Sequence, residues 1–229
     1  MVHVDRYGMR RARAKGAQPL HSYVGRDVDL AAESALKDFE LEDKFADRFL
    51  AGQVSLTEFP YYDSYVRTID AESTLIGRPR RILFIGSGPV PLSAILYARK
   101  FPEARVDIVD IDKAALKKGA KVAKKAGTPL GKQIAGDAAT IKGLSNYDVV
   151  VVALEVGPTD ATKRAVLEGM FADAAPRTTV LLRGSRDVPS GGMLFVNTRR
   201  LLPSNTTIVG AVPTFDGYSE TFAVRTWGR

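Results

Sequence analysis

Hydrophobic and polar positions change their rhythm once along this chain, near residue 77. From Asp27 to about Leu50, VDLAAESALKDFELEDKFADRFL sets apolar residues three and four apart. That spacing gives a helix one buried stripe, so the stretch predicts one amphipathic helix or two. AGQVSLTEFP interrupts it, and Ser55 or Thr57 is available to cap a second helix running from about Tyr61 to Leu75. GRPRR (77–81) reads as a boundary. Beyond it, short apolar runs alternate with helical stretches: RILFIG (81–86), RVDIVDI (105–111), KQIAG (132–136), YDVVVVALE (147–155) and TTVLLRG (178–184). TTIVGAVPT (206–214) and ETFAVRTW (220–227) follow, joined by the hairpin-like FDGYS. Strands joined by helices and closed by a terminal hairpin predict a doubly wound α/β sheet with an antiparallel strand near its end. This is the pattern of the Rossmann-like S-adenosylmethionine-dependent methyltransferase fold. Residues 1–76 then form a basic arm and a small helical N-terminal cap, and residues 77–229 form the ligand-binding domain.

Composition narrows the chemistry. The chain has no cysteine, which excludes disulfides, thiolate metal sites and a cysteine nucleophile. Its two histidines, His3 and His21, both fall in the aperiodic first 27 residues, so a histidine-based triad or multi-histidine metal site is not expected. No run approaches the length of a membrane span, and the basic start is followed by no apolar core, so the expectation is a cytoplasmic protein without a resident metal. The net charge of +7 comes from RYGMRRARAK, GRPRR and the lysine-rich KAALKKGAKVAKK (113–125). The last has helical lysine spacing and reads as a solvated helix face. Without an accompanying aromatic RNA-binding signature, nucleic acid is not the expected partner.

The first strand runs into Gly86-Ser87-Gly88-Pro89, a turn at which a ligand approaches backbone closely. It lacks the third glycine of a dinucleotide fingerprint. The second strand ends in VDIVDID, offering Asp110 to ribose hydroxyls, and the third ends beside Asp137, placed to meet an adenine amino group. Ala153 and Leu154 close the fourth strand and are small and apolar enough to flank a nucleoside. Each acid alone could be a solvated strand end or a turn cap. Together with the glycine turn they point to a nucleoside ligand without pyrophosphate, hence S-adenosylmethionine. FPYYDSYV (59–66) gathers three of the eight tyrosines, and on a helix Tyr61, Tyr62 and Tyr65 share a sector of about 100°. Their faces could stabilise a sulfonium cation; packing of the cap helix on the sheet is the competing explanation.

FPYYDSY, Glu72, LFIGSGPVPLS and VDIVDID closely resemble the nicotianamine synthases of plants and archaea. LEDKFADRFL (41–50) resembles the helix that carries their catalytic glutamate, and YDVVVVALEVG and VLLRGSRDVPSGGMLF resemble later blocks. The likeness runs from about residue 40 to 190. It implies transfer of the 3-amino-3-carboxypropyl arm of S-adenosylmethionine to an amine, with release of methylthioadenosine. By that resemblance Glu42 and Tyr65 are the catalytic pair, Tyr61 contacts the cofactor, and Tyr62, Glu72 and Arg183 bind the substrate. Two departures stand out. The helical cap is much shorter than the family's, and GSRDVPSGG stands where the family has a histidine-bearing segment. The expected partner is a small-molecule amine or amino acid, in a metallophore-like coupling; a homodimer is compatible. Cyclisation of S-adenosylmethionine to azetidine-2-carboxylate, methyl transfer to a small molecule or RNA, and a non-enzymatic nucleoside-binding module are the alternatives.

Overall fold

Seven strands form one sheet in the order β3-β2-β1-β4-β5-β7-β6. The strands are β1 (Arg81–Ile85), β2 (Arg105–Asp110), β3 (Gln133–Ala135), β4 (Val149–Val152), β5 (Thr179–Ser185), β6 (Thr206–Pro213) and β7 (Ser219–Thr226). The first five pair in parallel, and β7 inserts antiparallel between β5 and β6. The computed structural model describes residues 24–185, 197–214 and 219–227. The basic arm with His3 and His21, most of GSRDVPSGG and the first four residues of FDGYS lie outside the described residues. The expected methyltransferase-type topology, with its closing antiparallel strand, is present.

Side chains alternate across the sheet, so consecutive residues feed opposite layers. Ile82 and Phe84 of β1 join Val106, Ile108, Val149 and Val151 on one face; Leu83 and Ile85 join Val109, Val150 and Val152 on the other. Strands buried on both faces explain the unbroken apolar run VVVV of β4. The first face is covered by α1 (Val24–Leu50), α2 (Tyr62–Ser73), α3 (Leu92–Lys100) and α4 (Lys113–Lys125), the second by α5 (Asp160–Asp173). The amphipathic start of the chain is one helix, not two.

Local chemistry accounts for how the cap is held. Ser55 does not cap α2; it caps a single 3-10 turn, Leu56–Glu58, where Glu58 returns a carboxylate to the Ser55 N–H at 2.6 Å. That turn buries Phe59 edge-on against Phe45 at 5.0 Å between ring centres, fixing α1 beside the start of α2. The lysine-rich α4 is more than a solvated face. Lys118 bridges Asp43 at 2.6 Å and Asp47 at 2.9 Å on α1, and Lys125 donates to the Leu50 carbonyl at 2.7 Å. Asp112 caps α4 through the Ala114 and Ala115 N–H groups. No helix among the described residues is long and apolar enough to cross a membrane.

Candidate functional site

A cavity of about 680 Å³ opens at the carboxyl ends of β1, β2, β4 and β5, roofed by α1 and α2. This is where doubly wound sheets bind ligands. Its floor is the turn after β1. Gly86 and Gly88 both have positive φ, at 82° and 61°, which a side chain would strain. A Cβ on Gly88 would also collide with Glu42 Oε2, so this glycine lets backbone and carboxylate meet. The turn is tied to β2 through Gly86 N–H to Val109 O at 2.9 Å and Gly88 N–H to Asp110 Oδ2 at 2.8 Å. Asp110 Oδ1 accepts from the Asp112 N–H at 2.9 Å. Each oxygen keeps a second lone pair, and Asp110 lines the cavity. Asp137, Ala153 and Leu154 line it as well, beside the glycine turn's neighbours, so these sequence-predicted residues come together. Ser87 is buried, lines the cavity, and its hydroxyl has no hydrogen-bond partner among the described residues. An orphaned hydroxyl on the cavity floor fits a polar nucleoside-type ligand.

The other end of the cavity is built by the cap. Tyr61, Ser64, Tyr65 and Thr68 recur at the 3.6-residue period and present one face of the α2 region to the cavity. Tyr62 falls off that face and packs on the core, which corrects the expectation that all three tyrosines share one pocket. Glu42 faces the cavity from α1. Burial pushes its carboxyl up to about 8; Glu155, Asp38 and Asp110 add repulsion, against a lowering hydrogen bond from the Val90 backbone. Tyr65 is held well above the usual phenol range, chiefly by burial and then by the Glu42 charge, with Arg183 opposing.

Arg183 reaches the cavity from β5, with Tyr65 and Phe84 rings 5.9 Å and 5.6 Å from its guanidinium carbon. Glu72 does not reach it. It is fully buried and bonds Arg183, Tyr97 and Thr221, which corrects its placement among the substrate contacts. Burial pushes the Glu72 carboxyl up, but the Arg183 guanidinium and the hydrogen bonds outweigh it and hold the group below the ordinary range.

Several cavity residues were not singled out from the sequence. Asp38 lies one helical turn before Glu42 and shares a hydrogen bond with Glu155 across the cavity mouth. Glu155 is exposed, yet desolvation of its carboxyl and then the Asp38 charge push it up to about 7. Lys163 does not line the cavity: only 2% exposed, it donates to the Leu154 carbonyl at 3.1 Å, and burial lowers it to about 8, opposed by Glu155. Thr214 and Ser219, whose hydroxyls bond each other, line the cavity from the ends of β6 and β7. The signal for Asp38 was present: it sits on the stripe that buries Phe45 and Phe49, where an acid has no packing reason to be.

Comparison with known proteins identifies a family and a fold. The family described as nicotianamine synthase protein matches residues 28–197, well over half the chain. Nicotianamine synthase 9 of Hordeum vulgare is 32% identical over 140 residues, and nicotianamine synthase 2 of Oryza sativa subsp. japonica is 34% identical over 141. Each match takes in 57% of this chain but only 41% and 43% of the relatives' own lengths. Among solved structures, MtNAS in complex with MTA and tNA superposes with a TM-score of 0.68 at 23% identity, covering 88% of this chain and 76% of that one. The mitomycin 7-O-methyltransferase MmcR superposes at 0.58 and 14% identity, over 92% of this chain and 69% of that one. Those two likenesses concern the fold. The chain belongs to the nicotianamine synthase family.

Proposed function

We propose that this protein uses S-adenosylmethionine as a donor of its 3-amino-3-carboxypropyl arm, transferring that arm to an amine and releasing methylthioadenosine. The observation that carries the reading is the meeting of a carboxyl raised to about 8 with two cavity-facing tyrosines on the family's pattern. One solved relative is described in complex with S-adenosylmethionine. The nucleoside would lie over the Gly86–Gly88 turn, with Asp110 and Asp137 receiving its hydroxyl and amino groups and Ala153 and Leu154 against its base. Gly88 N–H and Asp110 hold that floor rigid. Tyr61 and Tyr65 would face the sulfonium, each ring contributing about 0.5–2 kcal/mol.

An amine attacks carbon only when unprotonated. Glu42, a basic carboxylate in a buried setting, takes the proton from nitrogen as the new N–C bond forms. The C–S electron pair goes to sulfur, which leaves as a neutral thioether. Which sulfonium carbon reacts depends on which lies in line with the nitrogen at near-attack distance. Product identity is therefore a consequence of how the arm is held.

A second reading is favoured by a specific observation. Among the described residues Arg183 is the single cationic side chain lining the cavity, beside the carboxylates Asp38, Glu42, Asp110, Asp137 and Glu155. The donor's own carboxylate takes that seat, and an α-amino acid acceptor would bring a second carboxylate with none. The nucleophile is then either an amine lacking a carboxylate or the donor's own α-amine, which would close to azetidine-2-carboxylate. The test is incubation of purified protein with S-adenosylmethionine, with and without amines, followed by mass spectrometry of the products. Methylthioadenosine supports the reading. Its appearance without added amine, together with a four-carbon cyclic amino acid, selects cyclisation. Adenosylhomocysteine would overturn both.

A further inference from the structure

Glu72 has no exposed surface, and four hydrogen bonds from three other elements converge on its two oxygens. Oε1 accepts from Arg183 Nε at 2.8 Å and from the Thr221 hydroxyl at 2.6 Å. Oε2 accepts from Arg183 Nη2 at 2.9 Å and from the Tyr97 hydroxyl at 2.6 Å. The donors stand on β5, β7 and α3, while Glu72 itself belongs to α2 of the cap. Replacing a buried ion pair with well-packed apolar residues is often neutral or stabilising, so stability alone is a weak reason for this one. What the cluster does achieve is orientation. Ser93 Oγ takes a further bond from Arg183 Nη1 at 2.8 Å, so three of the five guanidinium N–H groups are committed. The guanidinium is pinned along one edge, between Tyr65 and Phe84, with its remaining donors on a residue that lines the cavity.

We infer that Glu72, supported by Tyr97 and Thr221, is a positioning residue: it holds Arg183 aimed at the carboxylate of the donor's aminocarboxypropyl arm. The inference rests on the donor reading given above. Charge complementarity selects the ligand group, because among the described residues Arg183 is the single cationic side chain on a wall that carries five carboxylates. Place in the fold selects the arm. The nucleoside floor lies at the ends of β1, β2 and β3, and Arg183 stands at the end of β5, beyond β4. An arm that spans the two passes Tyr65, which lies within electrostatic reach of both Glu42 and Arg183. A guanidinium that cannot swing fixes the far end of the arm, and with it the carbon presented to the nucleophile. The arrangement also links the cap to the β5–β7 end of the sheet through the atoms that read the ligand.

The test compares two ligands that share the nucleoside and differ in the arm. Calorimetric titration of S-adenosylmethionine and methylthioadenosine is performed on the wild-type protein, Glu72→Gln and Thr221→Val. The expected result for Glu72→Gln is a rise of roughly tenfold or more in the Kd of S-adenosylmethionine, with that of methylthioadenosine changed less than twofold. Thr221→Val, which removes one donor and keeps the shape, shows the same selectivity with a smaller rise. In an Arg183→Lys background, Glu72→Gln adds little further loss, because the group it positions has been replaced. Equal weakening of both ligands, or no weakening of either, would overturn the inference. Where Glu72→Gln fails to fold, Thr221→Val and its ratio decide. Each titration is run in a Glu42→Gln background, so that binding is read without turnover even if the donor's own α-amine is the nucleophile. A protein that transferred a methyl group would still display the ratio, and failure of the transfer reading is seen separately in the product analysis.

Discussion

The two ends of the cavity are built in opposite ways. The end proposed for the nucleoside is made of backbone: two glycines at positive φ and N–H groups tied to Val109 and Asp110, with Asp137 exposed beside them. The cap end is made of side chains, half-buried at Glu42 and Tyr65 and buried at Arg183. Desolvation and neighbouring carboxylates push the Glu42 carboxyl up, desolvation and the Glu42 charge push Tyr65 up, and Arg183 is locked by a carboxylate with no exposed surface. The first end can seat a ligand without paying for strained charges. At the second, a carboxyl raised to about 8 would stay protonated at neutral pH until a cation arrived. A sulfonium bound near Glu42 favours its ionised form, so the donor itself would prime the base.

This contrast predicts a graded set of losses. Glu42→Gln should lower the turnover of methylthioadenosine release by about 10²–10⁴ while leaving methylthioadenosine binding within twofold, measured by steady-state kinetics and calorimetry. Gly88→Ala should damage both ends at once. The left-handed backbone costs about 1–2 kcal/mol, and the new methyl displaces Glu42, so thermal melting should shift downward and activity fall at least tenfold. Tyr65→Leu should weaken S-adenosylmethionine by about 2- to 30-fold through the lost cation–π contact, with Tyr65→Phe recovering most of that binding. The same pair of changes at Tyr62 should do neither, since that ring faces the core. Smallest of all, Asp137→Asn should raise the Kd of either nucleoside a few-fold with turnover unchanged. If Asp137→Asn lowered turnover as much as Glu42→Gln, the division between seat and chemistry would collapse.

How much of this was legible in the sequence also differs between the two ends. The glycine turn and Asp110 were readable because strand periodicity and turn chemistry are local, and both ends of that interaction sit at predictable strand termini. Glu72 was misread because its partners lie far off, with Arg183 111 residues and Thr221 149 residues away, and no local pattern announces such a convergence. Tyr62 was misread because the tyrosines alone centre the face wrongly: residues 61, 64, 65 and 68 form the wall, and Tyr62 lies about 60° beyond its edge. Ser55 was assigned to α2 because a 3-10 turn offers the same capping signal as the helix behind it. Asp38 was readable as an acid on an apolar stripe, but its pairing with Glu155 needed the sheet to bring β4 under α1. The family resemblance supplied Glu42, which composition alone could not separate from Glu40, Asp43 and Asp47; Asp43 and Asp47 turn out to bind Lys118.

The central claim is that the half-buried carboxylate at residue 42 is the base. The direct measurement is kcat/KM for methylthioadenosine release across roughly pH 6 to 10, for the wild-type protein and Glu42→Gln; the range spans about two pH units either side of a carboxylate displaced this far. Because the base must be ionised to accept a proton, the wild-type profile should rise with pH through a midpoint of about 8, the value of the free protein's carboxyl. The residual activity of Glu42→Gln should lack that inflection. An inflection that persists unchanged in Glu42→Gln, or a flat wild-type profile, would contradict the account.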